Sequence, residues 1–417
     1  MGDFKDPLCP GPLPSQRIGT IDIGSNSVRF VMYELYGSAF TATYNEKVLA
    51  GLGRDLRTTG MLHPQGKIDA MAALKRFKFL VDSKDMSQTV IGATAALRDA
   101  KDAPEFIEDV RRETGFNIVP MSGQKEAITS AQGVIAGDPR ARGIAADLGG
   151  ASLELITVSE DLSGAGVSLP LGPFSVYEGA FDAQSIRPKV ETILSSDKAA
   201  GFAAGQNLYL IGGAWRNLAL IHQKRIRYSL RMAQNYQLSP SDAEDLAVWA
   251  CGKGASELLS WPGVSSRRAD TLPYAGLMLK ALLDKLSPRA VIIAPGGLRE
   301  GMVYGALPEN IRGRDPLFDA CRDLARGSQQ TRNYGAPLLD FLSGIDETLP
   351  SGFQGAAKNR LRIAACALVG IGKGLHPDHR AQMVFETVLY APMPGLTHAE
   401  RACLALALFS SYSSASS

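Results

Sequence analysis

Cysteine, net charge and long apolar runs are all scarce in this chain of 417 residues. Its five cysteines are scattered, odd in number and without a Cys-x-x-Cys pair, which argues against a disulfide framework and a zinc site. The 44 basic and 42 acidic residues leave a net charge of +2, too small to gather nucleic acid or an anionic membrane. The longest apolar run, near residues 363–371, is about half of the ~20 residues that a membrane span needs. We therefore expect neither nucleic acid nor a membrane as a partner.

The N-terminal segment lacks the apolar core of a secretory signal, because acids stand at positions 3 and 6 and prolines at 7, 10, 12 and 14. Residues 1–16 are therefore predicted to form a flexible tail. The scattered cysteines fit a reducing compartment, so we expect a cytoplasmic protein.

The length and the composition predict several domains. A chain of 417 residues exceeds what one hydrophobic core usually supports, and 45% apolar with 21% charged residues is ordinary for a globular protein. We predict two α/β domains at residues 17–133 and 134–313, a helical domain at 314–410 and a polar tail at 411–417.

The periodicity of apolar residues predicts a mixed sheet flanked by helices in each α/β domain. In the first domain, strands are predicted at 17–23, 28–35, 41–49, 89–93 and 117–121, and helices at 68–81, 102–113 and 124–135. In the second, strands are predicted at 144–148, 153–158, 208–211 and 290–293, and a helix at 187–200. Helical segments follow residue 314, and Thr397 with Glu400 has capping-box spacing at the start of the last helix.

Two short motifs are nearly identical: DIGSNS at 22–27 and DLGGAS at 147–152, which lie 147 − 22 = 125 residues apart. A glycine directly after a strand lets consecutive amide groups converge on one anion, and the serine adds a donor. The aspartate can reach a hydrated cation that neutralises phosphate. A single copy is typical of an ordinary β-turn. Two copies in the same register favour a duplicated phosphate-binding unit, with two lobes that clamp an oligophosphate.

These loops resemble the phosphate loops of the acetate and sugar kinase, heat-shock ATPase and actin superfamily. Within it, the chain is most similar to the exopolyphosphatase and guanosine pentaphosphate phosphatase family. The similarity covers roughly residues 17–313 and rests on six motifs in the family's order: IDIGSNSVRF at 21–30, TAALRDA at 94–100, SGQKEA at 122–127, DLGGASLEL at 147–155, IGGAWR at 211–216 and PGGLREG at 295–301. It implies two ribonuclease H-like (actin-like ATPase) domains with a cleft between them, followed by an α-helical domain related to HD domains.

The resemblance implies that Glu126 is the general base, which deprotonates a water for in-line attack on the terminal phosphorus. From the residues alone, Glu126 lies in the first turn of a predicted helix, where its charge would also complement the helix dipole. The resemblance further implies a divalent cation, Mg²⁺ or Mn²⁺, near Asp147 and Glu154, with Asp22 as their pseudo-symmetric counterpart. As a strand-end residue, Asp22 is equally typical of a turn.

Donors to the phosphates are predicted from both loops and from the helix start near residue 94. They are Ser25, Asn26, Thr94, Arg98, Gly149, Gly150, Ala151 and Ser152. Many family members have glycine where Ala151 stands, so the φ angle at this residue must be negative for the loop to close. Arg98 matches the family's phosphate-gripping arginine, although a solvated arginine at a helix start is the plainer interpretation. Arg267, Arg268 and Arg299 form a candidate polyphosphate track, but single basic residues usually lie on solvated faces.

The segment after residue 314 contains no His-Asp dipeptide, so the metal dyad of an active HD site is absent. His376, Asp378 and His379 are more typical of a helix-start turn than of a metal site. The leading hypothesis is an exopolyphosphatase that releases orthophosphate from inorganic polyphosphate. Hydrolysis of guanosine pentaphosphate to the tetraphosphate is the close alternative; a kinase and a non-catalytic alarmone or polyphosphate sensor are more remote. The resemblance also implies a homodimer formed through the helical domain.

Overall fold

The computed structural model describes residues 16–160, 166–177, 179–261, 264, 266–345 and 352–413, without the side chains of 266, 267, 329, 330, 332 and 333. The predicted tails lie largely outside these ranges. The chain forms two compact units: one joins Arg17–Tyr33 with Ala42–Leu307, and the other contains Glu34–Thr41 and the chain from Pro308 onward. The domain boundaries given above stay predictions.

The first sheet has the strand order β3-β2-β1-β4 in the described residues. Its strands are β1 (Gln16–Ile23), β2 (Val28–Tyr36), β3 (Ala39–Val48) and β4 (Gln88–Ala93). β1 and β4 run parallel, with Asp22 opposite Gly92. The carboxyl ends of both strands therefore meet at one edge of the sheet, which is where parallel sheets usually bind ligands.

Five helices follow or interrupt the first sheet: α1 (Leu56–Thr59), α2 (Pro64–Ser83), α3 (Ala95–Asp99), α4 (Ala103–Thr114) and α5 (Gly123–Gly137). Apolar residues of α2 and α4 pack with β1 and β2, and the rings of Phe30 and Phe77 stack at 5.4 Å. Burial of such side chains, worth about 1.5–3 kcal/mol each, holds these helices on the sheet.

The strand predicted at 117–121 is wrong. Only an isolated bridge between Ala93 and Pro120 forms there, and Val119 is 67% exposed. Because Pro120 has no backbone N–H, it cannot donate to a ladder, and the apolar pattern of these residues is not enough to form a strand.

The second sheet has the order β7-β6-β5-β8-β10-β9 in the described residues. Its strands are β5 (Gly143–Leu148), β6 (Leu153–Val158), β7 (Val167–Leu169), β8 (Leu208–Ile211), β9 (Gln237–Leu238) and β10 (Val291–Ile293). β5 runs parallel to β8 and antiparallel to β6, so Asp147 lies directly opposite Glu154.

The helices of this half bury many leucines, among them Leu279 and Leu282, against the sheet. They are α6 (Pro173–Val176), α7 (Ala183–Leu194), α8 (Gly213–Arg225), α9 (Pro240–Cys251), α10 (Ala255–Leu259), α11 (Ser266–Ala269), α12 (Leu272–Leu286) and α13 (Leu298–Ala306). The helix predicted at 187–200 begins earlier, because Asp182 accepts hydrogen bonds from the amides of Gln184 and Ser185 as an N-cap. A separate 3₁₀ turn covers Asp197–Ala199.

Helices α5 and α13 cross at very short range through glycines. A methyl group on Gly133 would overlap with the backbone of Gly297, and one on Gly301 would overlap with the carbonyl of Thr129. The absence of Cβ atoms at these positions lets the helices approach backbone to backbone. This crossing positions the N-terminal turn of α5 beside the ends of β1 and β5.

The second unit is built from helices around a core that includes Leu317, Leu368 and Leu404. They are α14 (Glu309–Arg312), α15 (Pro316–Leu324), α16 (Gln329–Ser343), α17 (Gly355–Ala367), α18 (Arg380–Tyr390) and α19 (His398–Tyr412). The predicted capping box is confirmed, since Thr397 and Glu400 each accept a hydrogen bond from the other's backbone N–H.

The tip of the β2–β3 hairpin belongs to this unit. Ser38 donates from both its amide and its hydroxyl group to Oδ2 of the buried Asp319, each at 2.8 Å. Arg314 donates to the other oxygen at 2.7 Å. These bonds satisfy a carboxylate that would otherwise be costly to bury.

The predicted fold class, two mixed α/β sheets followed by helices, is confirmed. Within the described ranges, no helix has both the length and the apolar character needed to cross a bilayer.

Candidate active site

The two similar motifs adopt the same turn. The amide of Gly24 donates to the carbonyl of Ser27 at 2.9 Å after β1, and the amide of Gly149 donates to the carbonyl of Ser152 at 2.9 Å after β5. The duplication seen in the sequence is therefore also a duplication of backbone geometry.

The two loops lie close together, since a methyl group on Gly150 would be 3.9 Å from Cβ of Asn26. Each loop is held by a second segment of chain. Behind the first, the amide of Gly53 donates to the carbonyl of Ser25 at 2.8 Å. Against the second, the hydroxyl of Ser175 donates to the carbonyl of Ala151 at 2.6 Å. Loops fixed in this way present their amides to an anion at little further entropic cost.

Ala151 does not have a positive φ angle, which agrees with the expectation for a residue that carries a Cβ atom. Ser25 and Ser152 are buried, each 7% exposed, whereas Gly149 is exposed. The six loop residues predicted to bind phosphate thus lie on two adjacent turns, with the serines Ser25 and Ser152 packed inwards.

Glu126 lies in the first turn of α5, which Ser122 caps by accepting a hydrogen bond from the amide of Lys125. Its side chain is buried, and burial together with the nearby charges of Asp147 and Asp22 raises its pKa to about 7, against the lowering effect of Arg98. A carboxylate with this pKa is a stronger base than an exposed glutamate and still ionises near neutral pH.

Arg98 contacts Glu126 directly, with Nη1 donating to Oε2 at 3.1 Å. Thr94 precedes the helix that carries Arg98, and the amide of Thr94 donates to the carbonyl of Ile23 at 3.1 Å. This bond ties α3 to the end of β1, so the arginine is held at the edge where the first phosphate loop begins.

Asp147 and Glu154 face each other across β5 and β6, where opposed side chains have Cβ atoms about 4.5–5.5 Å apart. The hydroxyl of Ser130 donates to Oδ2 of Asp147 at 2.6 Å, and that of Ser168 donates to Oε1 of Glu154 at 2.7 Å. Burial raises the pKa of Asp147, and burial with the charges of Glu126 and Asp147 raises the pKa of Glu154 well above its usual value.

In the described ranges, no group of three or more His, Cys, Asp or Glu side chains is arranged to hold a metal ion. Mg²⁺ nevertheless fits the pair of Asp147 and Glu154, because it usually keeps several waters and takes only one or two carboxylates. Two like charges directly opposite each other are destabilising by themselves, and a divalent cation would remove that repulsion.

Asp22 has a different partner from the one that the sequence suggested. Nη1 of Arg299, on α13, donates to its Oδ2 at 3.0 Å. The next residue, Glu300, accepts from the hydroxyl of Tyr33 at 2.8 Å and from the amide of Gly297 at 2.9 Å. Burial alone would raise the pKa of Glu300, but the nearby guanidinium groups lower it. Arg299, predicted to belong to the polyphosphate track, therefore binds the carboxylate of Asp22, a predicted metal ligand.

Arg268, on α11, packs its side chain against the start of α8: Nη1 donates to Oδ1 of Asn217 at 2.6 Å, and Nη2 would be 3.2 Å from a methyl group on Gly213. The side chain of Arg267, the remaining member of the predicted track, lies outside the described residues. Two basic residues that were not predicted from the sequence as site residues, Lys47 and Arg29, lie near Arg299. Burial and the charges of Arg268, Arg29 and Arg299 lower the pKa of Lys47.

Arg216, on α8, acts electrostatically on Asp147 and Glu300, and its Nε is buried without a hydrogen-bond partner among the described residues. Arg29 and Arg216 stand inside motifs that carry the resemblance, so the sequence held a signal for both. Lys47 lies in no motif, so only the structure shows that it lies near Arg29, Arg268 and Arg299.

His376, Asp378 and His379 lie far along the chain, in the helical unit. Nδ1 of His376 is 3.8 Å from Oδ2 of Asp378, and both side chains are largely exposed. The amide of Asp378 donates to Nδ1 of His376, as expected of a turn before α18.

The chain is similar to known proteins in sequence and in fold. The model of the Ppx/GppA phosphatase family matches residues 31–310, and that of the exopolyphosphatase C-terminal region matches residues 338–416. Retrograde regulation protein 2 of Saccharomyces cerevisiae is 27% identical over 442 aligned positions, which cover 94% of this chain and 72% of that protein.

Solved structures share the fold. The Aquifex aeolicus PPX-GPPA enzyme has a TM-score of 0.59 at 23% identity, covering 70% of this chain and 99% of its own. An exopolyphosphatase from Cytophaga hutchinsonii has a TM-score of 0.62 at 22% identity, covering 70% and 97%. The resemblance drawn from the motifs is confirmed.

Proposed function

Because the chain belongs to the Ppx/GppA phosphatase family, we propose that it is an exopolyphosphatase, which removes terminal orthophosphate from inorganic polyphosphate. The observation that carries this proposal is Glu126, a buried carboxylate with a pKa of about 7 in hydrogen-bond contact with Arg98. A group of this kind beside two phosphate-binding turns suits the activation of water for attack on phosphorus.

In the proposed reaction, Glu126 accepts a proton from a water molecule, whose oxygen attacks the terminal phosphorus as the bond to the bridging oxygen breaks. The amides of the two loops and the guanidinium group of Arg98 stabilise charge on the phosphate oxygens. Asp147 and Glu154 would hold Mg²⁺ or Mn²⁺, which when bound neutralises charge on the phosphates. Asp22 also stays a predicted ligand, through the oxygen that Arg299 does not bind.

The remaining phosphates of a long substrate need further cations. Arg268, Lys47, Arg29 and Arg216 supply them in the same unit as the two loops. Inorganic polyphosphate carries about one negative charge per phosphate, so an excess of positive charge beside the loops favours a polyanion over a single phosphate ester.

Hydrolysis of guanosine pentaphosphate to the tetraphosphate is a second candidate, and the family model that matches the chain is named for both activities. Both reactions break a terminal phosphoanhydride bond and need the same base and the same loops. Competition between the two substrates therefore decides between them, whereas the loss of activity in a Glu126 variant does not.

The decisive experiment measures orthophosphate release from long-chain polyphosphate and from guanosine pentaphosphate with Mg²⁺, in wild type, Glu126→Gln and Glu105→Gln. Glu105 lies in the first turn of α4 and serves as a matched control for a first-turn glutamate outside the site. We expect Glu126→Gln to lower kcat by about 10²–10⁴-fold and the control to leave it unchanged. Equal rates in all three proteins would refute the assignment of the base.

A regulatory role is favoured by one observation, the similarity to Retrograde regulation protein 2. In this case the cleft would bind an alarmone or polyphosphate without turnover. Tight binding of polyphosphate by calorimetry, together with phosphate release no faster than in Glu126→Gln, would support the sensor and exclude the hydrolase.

A further inference from the structure

The first two turns of α5 are linked to three carboxylates of the predicted catalytic and metal site, those of Glu126, Asp147 and Glu154. Glu126 itself is on this helix, and Ser130, four residues later, lies on the same face. Ser130 is 1% exposed and donates to Oδ2 of Asp147 at 2.6 Å. At the start of α5, a methyl group on Gly123 would be 2.6 Å from Cβ of Ser168, whose hydroxyl binds Glu154.

The four acidic groups differ in what binds them. Asp22 and Glu126 each form an ion pair with an arginine, at 3.0 and 3.1 Å. Asp147 and Glu154 are bound by serine hydroxyls, which orient an oxygen but leave the charge in place. Among the described residues neither of these two forms an ion pair within 4 Å. Because no described cationic side chain binds either carboxylate directly, these two are the pair that a divalent cation would join.

We propose that Ser130 is a positioning residue for this cation site. By holding Oδ2 of Asp147, its hydroxyl fixes the rotation of the carboxylate and leaves Oδ1 for the cation. Because Ser130 and Glu126 lie one helical turn apart, the same bond fixes the distance between the cation and the base. The inference rests on the proposed function for the identity of the base, but the binding of the cation can be tested without it.

The matched variants are Ser130→Ala, Ser130→Thr and Ser260→Ala. Ser130→Thr retains the hydroxyl group. Ser260, at the end of α10, donates to the carbonyl of Glu257 at 2.6 Å, so Ser260→Ala removes a comparable local bond away from the site. Ser130→Cys, which keeps the side-chain volume with a weaker donor, replaces the alanine variant if that protein does not fold by circular dichroism.

The first readout is Mn²⁺ binding to the substrate-free protein, followed by electron paramagnetic resonance of the free ion. We expect Ser130→Ala to weaken Mn²⁺ binding by roughly 10–100-fold, with Ser130→Thr near wild type and Ser260→Ala unchanged. The second is the Mg²⁺ concentration for half-maximal phosphate release, which should rise by the same factor in Ser130→Ala.

Unchanged Mn²⁺ affinity in Ser130→Ala would overturn the proposal, whatever its effect on stability. Equal weakening in Ser260→Ala would overturn it as well, because the effect would then not be local. Weaker Mn²⁺ binding in Ser130→Ala with no phosphate release from any of the proteins would support the role of Ser130 and refute the proposed hydrolase.

Discussion

Glu126 sets the expected pH dependence of the reaction. Only its deprotonated form can accept a proton from water, and burial raises its pKa to about 7. We therefore predict that kcat/KM for polyphosphate rises from about pH 5 and levels off above about pH 7. Phosphate release at constant saturating Mg²⁺ measures this profile. A profile that is flat over this range would contradict the role of Glu126 as the base.

The raised pKa of Glu126 also predicts that its ionised form lowers the stability of the folded protein. The pKa of Glu126 is higher in the folded chain than the ordinary glutamate value of about 4.5, so protonation is favoured in the folded state. The stabilising contribution is full below about pH 4.5 and is lost as the pH rises through about 7. Glu126→Gln should therefore raise the free energy of unfolding by about 1–3 kcal/mol at pH 8 and leave it unchanged near pH 4.

Urea denaturation of the metal-free proteins at both pH values measures this difference, with Glu105→Gln as the control. A variant that is no more stable than wild type at pH 8 would show that the surroundings of Glu126 do not penalise its charge. The prediction concerns the folded protein alone and holds whichever substrate the site accepts.

Individual site residues could be predicted where a motif carried them, but their partners could not. The sequence identifies Glu126, Arg98 and Asp147 through their motifs. It does not show that Arg299 binds Asp22, because 277 residues separate them and only the folded structure brings the start of α13 to the end of β1. The direct roles of these residues in binding and catalysis stay predictions.

At the scale of the elements, the contact between α5 and α13 depends on glycine. We predict that Gly301→Ala lowers the free energy of unfolding by about 3 kcal/mol or more, because its methyl group would overlap with the carbonyl of Thr129. Gly305→Ala on the same helix is the matched control. Its methyl group would meet nothing nearer than Oε1 of Gln132 at 3.5 Å, so it should be neutral or stabilise by about 0.5 kcal/mol.

Urea denaturation of both variants tests this pair. Similar stabilities would mean that the two helices can move apart without penalty. In Gly301→Ala we also expect loss of activity, since α5 carries Glu126 and Ser130.

Some elements were predicted closely, whereas two very short strands were missed. The strand at 208–211 matches β8 residue for residue, and α5 differs from its predicted range by only one or two residues at each end. β7 and β9, with three and two residues, were missed because their pairing depends on neighbours that are distant in sequence. The strand predicted at 117–121 does not form, because Pro120 has no N–H to donate to a ladder.

At the scale of the whole molecule, the resemblance predicts a homodimer. Light scattering should then give about 89 kDa, twice the 44.5 kDa of the chain. A mass that stays at that of one chain as the protein concentration is raised above ~10 μM would exclude a stable dimer.

Two polar contacts join the beginning of the chain to much later residues: Asp22 to Arg299 and Ser38 to Asp319, separated by 277 and 281 positions. A ribosome that adds about 5–20 residues per second needs roughly 15–55 s to make the second partner after the first. During that time Asp22 is an unpaired charge, and the hairpin tip that carries Ser38 has no carboxylate to bind. The first phosphate loop is thus among the first parts of the protein to leave the ribosome, and its aspartate is among the last residues to find its partner.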